Sequence, residues 1–377
     1  MNFSDIIGQE GVKNIFLQYV KSGRIPHAIM LCGPTGSGKL PLAIAFANYI
    51  CCDNHAYSDD SCGECPSCVK MKNLAHPDVH FAFPIVKRKS GRDSYCDEFL
   101  PQWREALIRN PYITPEEWTD ALDAGNTQPI IYSSESDDIQ RKLSLKSSQG
   151  GYKVMIIWMP EKMNPECANK ILKILEEPPG QTLFMLVSEN PDGLLPTIVS
   201  RVQRINLPPV DDEALAHYLE SRYMLMPEDA MDIAHRSEGS VSTALENLRL
   251  SEKRQEFFDM FVRLMRLSYA RDIRSLREWS DTLAQSGREN QKSFLAYCLN
   301  LVRENFMFNF HSSELVYLSP AERQFATRFA PFISEYNVIG IMQLLDEETA
   351  LIEQNANAKI VFFDLALQMI VLIKQYK

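Results

Sequence analysis

Four thiols and one lysine are the residues whose types and spacing could do chemistry. Cys62-x2-Cys65-x2-Cys68 follows Cys52 closely in the chain. Three such thiolates on a turn can share one face of a tetrahedral Zn²⁺, and a fourth from a nearby helix end closes the shell. Gly63 and Pro66 suit the tight turns between ligands. Cys51 is the rival for the fourth position, and His55 a weaker one. A ferredoxin-type iron–sulfur run needs another Cys soon after the third, and none follows Cys68 before Cys96. The expectation is a structural zinc on Cys52, Cys62, Cys65 and Cys68 with no open position. Cys32, Cys167 and Cys298 stand alone in apolar stretches and read as core thiols.

The lysine is Lys39, in Gly33-x4-Gly38-Lys39. That spacing is a P-loop: glycines turn backbone N–H groups inward around phosphates, and the lysine reaches the terminal ones. Gly33, Gly36, Gly38 and Lys39 are therefore the candidate nucleotide-binding residues. The next position should carry a hydroxyl to ligate Mg²⁺, but Leu40 has no oxygen to offer, and Pro41 follows it. The P-loop ATPases place an Asp at the end of a further core strand for the metal. Here Lys153-Val-Met-Ile-Ile157 ends in Trp158-Met159, which can neither bind Mg²⁺ nor polarise water. Glu161 lies past the expected strand end. Three losses at defined positions argue against hydrolysis; ATP binding stays open because Lys39 and the glycines are kept.

These residues need elements to hold them. Val12, Ile15, Phe16 and Tyr19 recur at helical spacing. Ala28 to Cys32 is a short apolar run before the glycine turn, and Leu42 to Ile50 reads as the helix after it. Residues 80–130 read as an insertion with a basic patch (Lys87-Arg88-Lys89 and Arg92), partly helical from about 98 to 123. A polar helix is expected over 135–146. Lys153 to Trp158 and Thr182 to Val187 read as buried parallel strands, with a helix over Ala168 to Leu175 between them. From Asp211 onward the pattern is helical.

Composition agrees with this division. The chain has 377 residues, 45% apolar and 23% charged, which argues against a disordered chain or a rod. Residues 1–207 hold 13 of 16 Gly and 16 of 21 Pro, so a turn-rich part precedes a helical part. The net charge is −10, split as 21 − 24 = −3 and 18 − 25 = −7, so neither part carries the strong basic footprint of a free-standing DNA-binding domain. No stretch is long and apolar enough for a membrane span. Met1 to Asp5 has no secretory character, and a cytoplasmic location, where thiols stay reduced, is expected.

Taken together these features resemble the clamp-loader subunits of bacterial DNA polymerase III, in the AAA+ superfamily. The matching stretches are Phe3-Ser-Asp-Ile-Ile-Gly-Gln-Glu10, Pro26-His27-Ala28, the P-loop, the Cys cluster and His76-Pro77-Asp78. Further on they are Lys153-Val154, Asn169-x2-Leu172-Lys173-x-Leu175-Glu-Glu-Pro-Pro179, Leu195-Pro196-Thr-Ile-Val-Ser-Arg201 and Gly239-Ser240. They span most of residues 1–250; beyond that the likeness is in being helical, with Glu353-Gln-Asn-Ala-Asn357 weakly similar to the collar domain.

The resemblance implies a RecA-like α/β AAA+ core over 1–207, carrying a zinc module at about 51–70 and the insertion at about 80–130. A small helical lid over 208–250 and an all-helical collar domain over 251–377 would follow. It implies assembly with gamma/tau and delta subunits to load the sliding clamp onto primed DNA, as part of the polymerase holoenzyme. The gamma/tau kind hydrolyses ATP and the delta-prime kind generally does not. Leu40, Trp158-Met159, and Ser242 in place of a sensor arginine resemble the delta-prime pattern. Ser200-Arg201 matches the family's Ser-Arg-Cys motif, with Val202 for Cys. That arginine reaches a neighbour's ATP, where a fixed, always-charged fork stabilises charge on the transferring phosphate. Without the motif, Arg201 reads as a surface or structural ion-pair arginine. The alternatives are an active gamma-type ATPase and a zinc-dependent nucleic-acid-binding module.

Overall fold

In a computed structural model the described residues are 1–54, 58–87, 94–125, 127–148, 151–309 and 318–374. His55 and most of the basic patch (Arg88, Lys89 and Arg92) lie outside them. The chain divides into two compact units, Met1–Asn247 and Leu248–Lys377.

The first unit is built on a parallel sheet. Its strands are β1 (Ala28–Cys32), β2 (Val79–Ala82), β3 (Lys153–Trp158), β4 (Thr182–Ser188) and β5 (Gln203–Asn206). They lie in the order β2-β3-β4-β1-β5. Every pairing is parallel, with Ala28 opposite Phe184, Lys153 opposite Thr182, Val79 opposite Val154 and Ile29 opposite Gln203. β1, β3 and β4 are buried along their whole length. Helices cover both faces of such a sheet, so the central strands read as unbroken apolar runs rather than alternating ones. The edge strand β5 exposes Gln203, Arg204 and Asn206 and buries only Ile205.

Strand order decides what meets the phosphate loop. β4 lies between β1 and β3. The turn after β1 therefore faces the end of β4 first and the end of β3 next. Ligands of open α/β sheets bind outside the carboxyl ends of the strands. Gly33–Lys39, Ser188-Glu189 and Trp158-Met159 are accordingly the residues that shape this edge.

The N-terminal helix Glu10–Lys21 buries Val12 and Phe16 as its periodicity predicts, but leaves Ile15 exposed. Lys13 is buried in its place, donating to the Ile6 carbonyl (2.8 Å) and to Glu10 (2.7 Å). A long aliphatic stem can be buried when its charged head is paired locally. Phe16 stacks on Phe46 of the helix Lys39–Cys51, with ring centroids 4.0 Å apart.

The insertion is folded around aromatic rings. Its helices are Leu100–Arg109 and Pro115–Ala121. Trp103 is fully buried, stacked on Phe83 (4.3 Å) and close to Trp118 (5.0 Å) and Trp158 (5.2 Å). The Trp118 indole N–H donates to the Pro84 carbonyl at 2.7 Å. Trp158, expected to be a lost acidic residue, is thus part of the packing that holds the insertion to the sheet.

After β5 come the helices Asp212–Tyr223 and Pro227–Arg236, with Leu215, Leu219, Ala230 and Ala234 buried. The helix Val241–Ala270 contains the division between the two units.

The second unit continues with helices Ile273–Ala284, Arg288–Phe308, Pro320–Phe329, Val338–Glu353 and Ala358–Leu372. The stripe Phe257, Phe258, Phe261 and Met265 is buried in its core, with Trp279, Phe294 and Phe362. The apolar stretch at 360–363 divides: Val361 and Phe362 are buried, while Ile360 is exposed. One polar cluster is enclosed here. Glu322 is 1% exposed and accepts both arms of Arg254 (2.9 and 2.6 Å), the Tyr297 hydroxyl (2.6 Å) and the Ser319 N–H (2.8 Å).

Candidate functional site

Two sites come from the sequence, and the structure treats them differently. At the thiol cluster, the sulfurs of Cys52, Cys62, Cys65 and Cys68 lie within 4.8 Å of one another. Cys62 and Cys68 are 3.9 Å apart. Ligands at about 2.3 Å from a tetrahedral zinc stand about 3.8 Å apart, so the donor set fits that ion. Cys51 and Cys52 are neighbours in sequence, but only Cys52 joins the cluster. The helix Lys39–Cys51 ends there, and Cys52 takes an extended backbone (φ −71°, ψ 127°). Cys51 keeps its helical position, where burial pushes its thiol up to about 12.

Backbone N–H groups point at the sulfurs. The N–H groups of Cys62, Cys65 and Cys68 donate to Cys52 (3.4 Å), Cys62 (3.3 Å) and Cys65 (3.4 Å) respectively. The Glu64 and Cys65 N–H groups pull the Cys62 thiol down to about 6. Cys65 also caps the helix Pro66–Lys72, whose positive end favours negative charge. Such outer contacts fix a ligand's orientation and tune its basicity.

Tethers fix the module to the first helices. The Asp60 carboxylate accepts from the N–H groups of Phe3 (2.8 Å) and Ser4 (2.9 Å). Asn48 donates to Ser61 at 2.9 Å. His76, in the motif before β2, is buried: Nδ1 accepts the Asp78 N–H (3.2 Å) and Nε2 meets the Ser67 hydroxyl (3.1 Å). Those bonds place the ring proton on Nε2 and give His76 a bracing role rather than a ligand's.

The phosphate loop has the expected backbone but not the expected space. Gly33, Gly36 and Gly38 all have positive φ (148°, 78° and 89°). A Cβ on Gly36 would fall 2.3 Å from the Ser240 hydroxyl and 2.5 Å from that of Ser242. The Gly36 carbonyl accepts the Val241 N–H at 3.0 Å. Ser242, standing where a sensor arginine is expected, is thus packed on the loop. Gln9 braces it further, donating to the Ser37 (3.1 Å) and Pro208 (2.7 Å) carbonyls.

Lys39 is turned inward. Its ammonium donates to the carbonyls of Gly33 (2.8 Å) and Pro34 (2.6 Å) and lies 3.9 Å from Glu189. Burial lowers its pKa from the ordinary lysine value, against the pull of Glu189 and Glu161. Glu189 in turn is raised by burial against the pull of Lys39, and it accepts the Thr35 hydroxyl at 3.1 Å. Glu161 is not positioned as a substitute acid. Its carboxylate accepts from the Ser188 hydroxyl (2.8 Å) and the Glu189 N–H (3.1 Å), tying the end of β4. Leu40 and Trp158 are buried. The cavity bounded by Gly36, Gly38, Lys39, Tyr112, Trp158 and Glu189 has a volume of only about 20 Å³. Glu189 and Tyr112 were not expected from sequence. Glu189 was findable as the residue after β4, the strand beside the loop; Tyr112 had no local signal.

Arg201 lies just beyond the short helix Pro196–Val199. Its Nε and one terminal nitrogen donate to the same Glu176 oxygen (2.8 and 2.6 Å). The other terminal nitrogen donates to the Thr197 carbonyl (2.9 Å) and the Ser200 hydroxyl (3.2 Å). The Arg201 side chain is 37% exposed, and its guanidinium is fixed at the surface by its own chain. Glu176, in the Glu-Glu-Pro-Pro stretch that ends at Pro179, is the residue that holds it.

A parallel sheet with a glycine-rich loop after its first strand defines a P-loop type of fold, here with a four-thiol cluster and a tethered surface arginine. The family model "DNA polymerase III, delta subunit" matches residues 8–211. The chain belongs to that family. The delta-prime subunit of DNA polymerase III from Haemophilus influenzae is 28% identical over 237 residues, 62% of this chain and 59% of that one. That of Escherichia coli is 27% identical over 60% of this chain and 55% of its own. The tau subunit of Bacillus subtilis is 25% identical over 65% of this chain and 37% of its own. The matches thus span less than two thirds of each of these relatives. Among the described residues, no helix is long and apolar enough to cross a membrane.

Proposed function

We propose that this chain is a non-hydrolysing, stator-like subunit of a DNA polymerase III clamp loader. It assembles with gamma/tau and delta subunits, and the assembly places the sliding clamp on primed DNA. Its own contribution is structural completion of the ring and the donation of Arg201, with Ser200 beside it, to a neighbour's ATP site. In this reading residues 1–207 are the AAA+ core, 208–250 the lid and 251–377 the collar, and Cys52, Cys62, Cys65 and Cys68 hold a structural zinc.

The observation that carries the proposal is the contrast between the two halves of an ATP site. In the half that would bind and activate ATP, Leu40, Trp158 and Met159 offer no metal ligand, and the cavity is about 20 Å³. In the half offered to a neighbour, Arg201 remains at the surface in a fixed orientation. Catalysis of phosphoryl transfer is mostly positioning and charge stabilisation, so a subunit lacking the metal ligands can still supply a guanidinium in trans. Zinc in such a module is structural: four thiolates leave no position open for a water or substrate.

The purified chain is expected to show no ATP turnover, with or without Mg²⁺, and the same result for Lys39→Ala. Turnover by the chain alone that Lys39→Ala removes would make it an active ATPase of the gamma kind.

A further inference from the structure

We infer that residues 110–113 of the insertion are a built-in plug of the phosphate-loop site, with Tyr112 as the group that closes it. The inference rests on the proposal that this was once a nucleotide site. It goes further in naming what fills it.

Missing metal ligands alone do not close a pocket. Leu40 and Met159 remove oxygen atoms from the place where a metal ion would be held. Pro111, Tyr112 and Ile113 form the wall of the remaining cavity that the insertion supplies, opposite Gly36, Gly38 and Lys39. Small-molecule pockets run from about 300 Å³ upward, and about 20 Å³ is left here. Tyr112 is 7% exposed, and its ring lies 3.3 Å from where a Cβ on Gly38 would stand. Its hydroxyl accepts the N–H of Ile7 at 3.1 Å, in the segment that precedes the first long helix. An aromatic ring with one polar tip therefore sits against the glycine loop and satisfies a buried backbone donor, as a bound ligand would.

The plug is held rather than merely adjacent. The Tyr112 N–H donates to the Asn110 side chain (3.1 Å), and Asn110 donates to Glu117 (2.8 Å). Glu117 closes a capping box with Thr114 at the start of the next helix. On the other side Trp158 packs against Trp103, so the residue that replaces the metal-binding acid also fastens the insertion. A nucleotide would have to displace a buried tyrosine and take the Ile7 N–H from its partner, and a buried donor left unpaired is costly.

The test is calorimetric titration of ADP, without Mg²⁺, into the full chain. The wild-type chain is expected to show no saturable binding at ADP concentrations up to about 1 mM, the range in which binding energy is barely measurable. Tyr112→Ala is expected to bind ADP at least tenfold tighter than wild type, and the double variant with Lys39→Ala to lose that gain. Tyr112→Phe keeps the ring and is expected to stay closed. Micromolar binding of ADP by the wild-type chain would overturn the plug. So would a folded Tyr112→Ala chain, with wild-type zinc content and circular dichroism, that binds no better. Should Tyr112→Ala not fold, Tyr112→Leu, which fills the core without reaching Ile7, carries the same comparison. ADP binding by the wild-type chain without ATP turnover would remove the plug and leave the non-hydrolysing reading standing; turnover would remove the latter.

Discussion

Cys65→Ser abolishes stoichiometric zinc binding and destabilises the first unit. The wild-type chain is expected to hold one zinc per chain by metal analysis, and the variant to bind it more than about 100-fold more weakly, since even outer contacts are worth 10–100-fold. Cys65 is the ligand with most to lose. It is one of the four clustered sulfurs, the cap of the helix Pro66–Lys72 and the acceptor of the Cys68 N–H. Metal-binding energy in such modules is folding energy, on the order of several kcal/mol or more. The loss should begin in residues 52–72 and reach the N-terminus, because Asp60 and Ser61 hold Asn2, Phe3 and Ser4. Hydrogen exchange would show faster exchange at 2–5 and 52–72 in the variant or after chelation. A zinc-free wild-type chain with unchanged exchange there would refute the structural role. Cys51→Ser is the control, expected to keep the metal because Cys51 lies outside the cluster.

Glu322→Ala destabilises the second unit by about 3 kcal/mol, in the lower range for breaking a buried charge pair because Arg254 is half exposed. The substitution strands the Arg254 fork, the Tyr297 hydroxyl and the Ser319 N–H at once. Burial alone would raise the Glu322 pKa. Arg254, Tyr297 and Ser319 outweigh it and hold the carboxyl below its ordinary value. The sign follows from that: a depressed folded pKa contributes stability at neutral pH and loses it as pH falls through the folded value. Urea unfolding followed by circular dichroism should show a gap between wild type and Glu322→Ala at pH 7 that narrows on acidification below the ordinary carboxylate range. An equal gap at all pH values would mean the carboxylate's charge is not what stabilises the cluster.

What could be read in the sequence was local. The thiol cluster is legible because four ligands within 17 positions must meet on one turn, and the strands β1, β3 and β4 because buried parallel strands are unbroken apolar runs. β2 and β5 were not expected. They are four residues long, and β5 is mostly polar at the sheet's edge. Cys51 and Cys52 could not be separated by spacing; the end of a helix separates them. The closed nucleotide site was only half legible. Leu40 and Trp158-Met159 are visible as missing oxygens, but Tyr112 meets Ile7 across 105 positions, and no periodicity predicts that. The partner of Arg201 is similar. Glu176 lies 25 residues away, and no local spacing pairs it with Arg201.

In the function proposed above, this chain serves a neighbour's ATP site and not its own. The direct measurement is ATP turnover by the assembly purified with gamma/tau and delta subunits, comparing wild type with Arg201→Ala. Only the site that borders this chain is touched by Arg201, so total turnover should fall by at least that site's share while the assembly stays intact. Unchanged turnover in an intact assembly would contradict the claim and return Arg201 to a surface ion pair with Glu176.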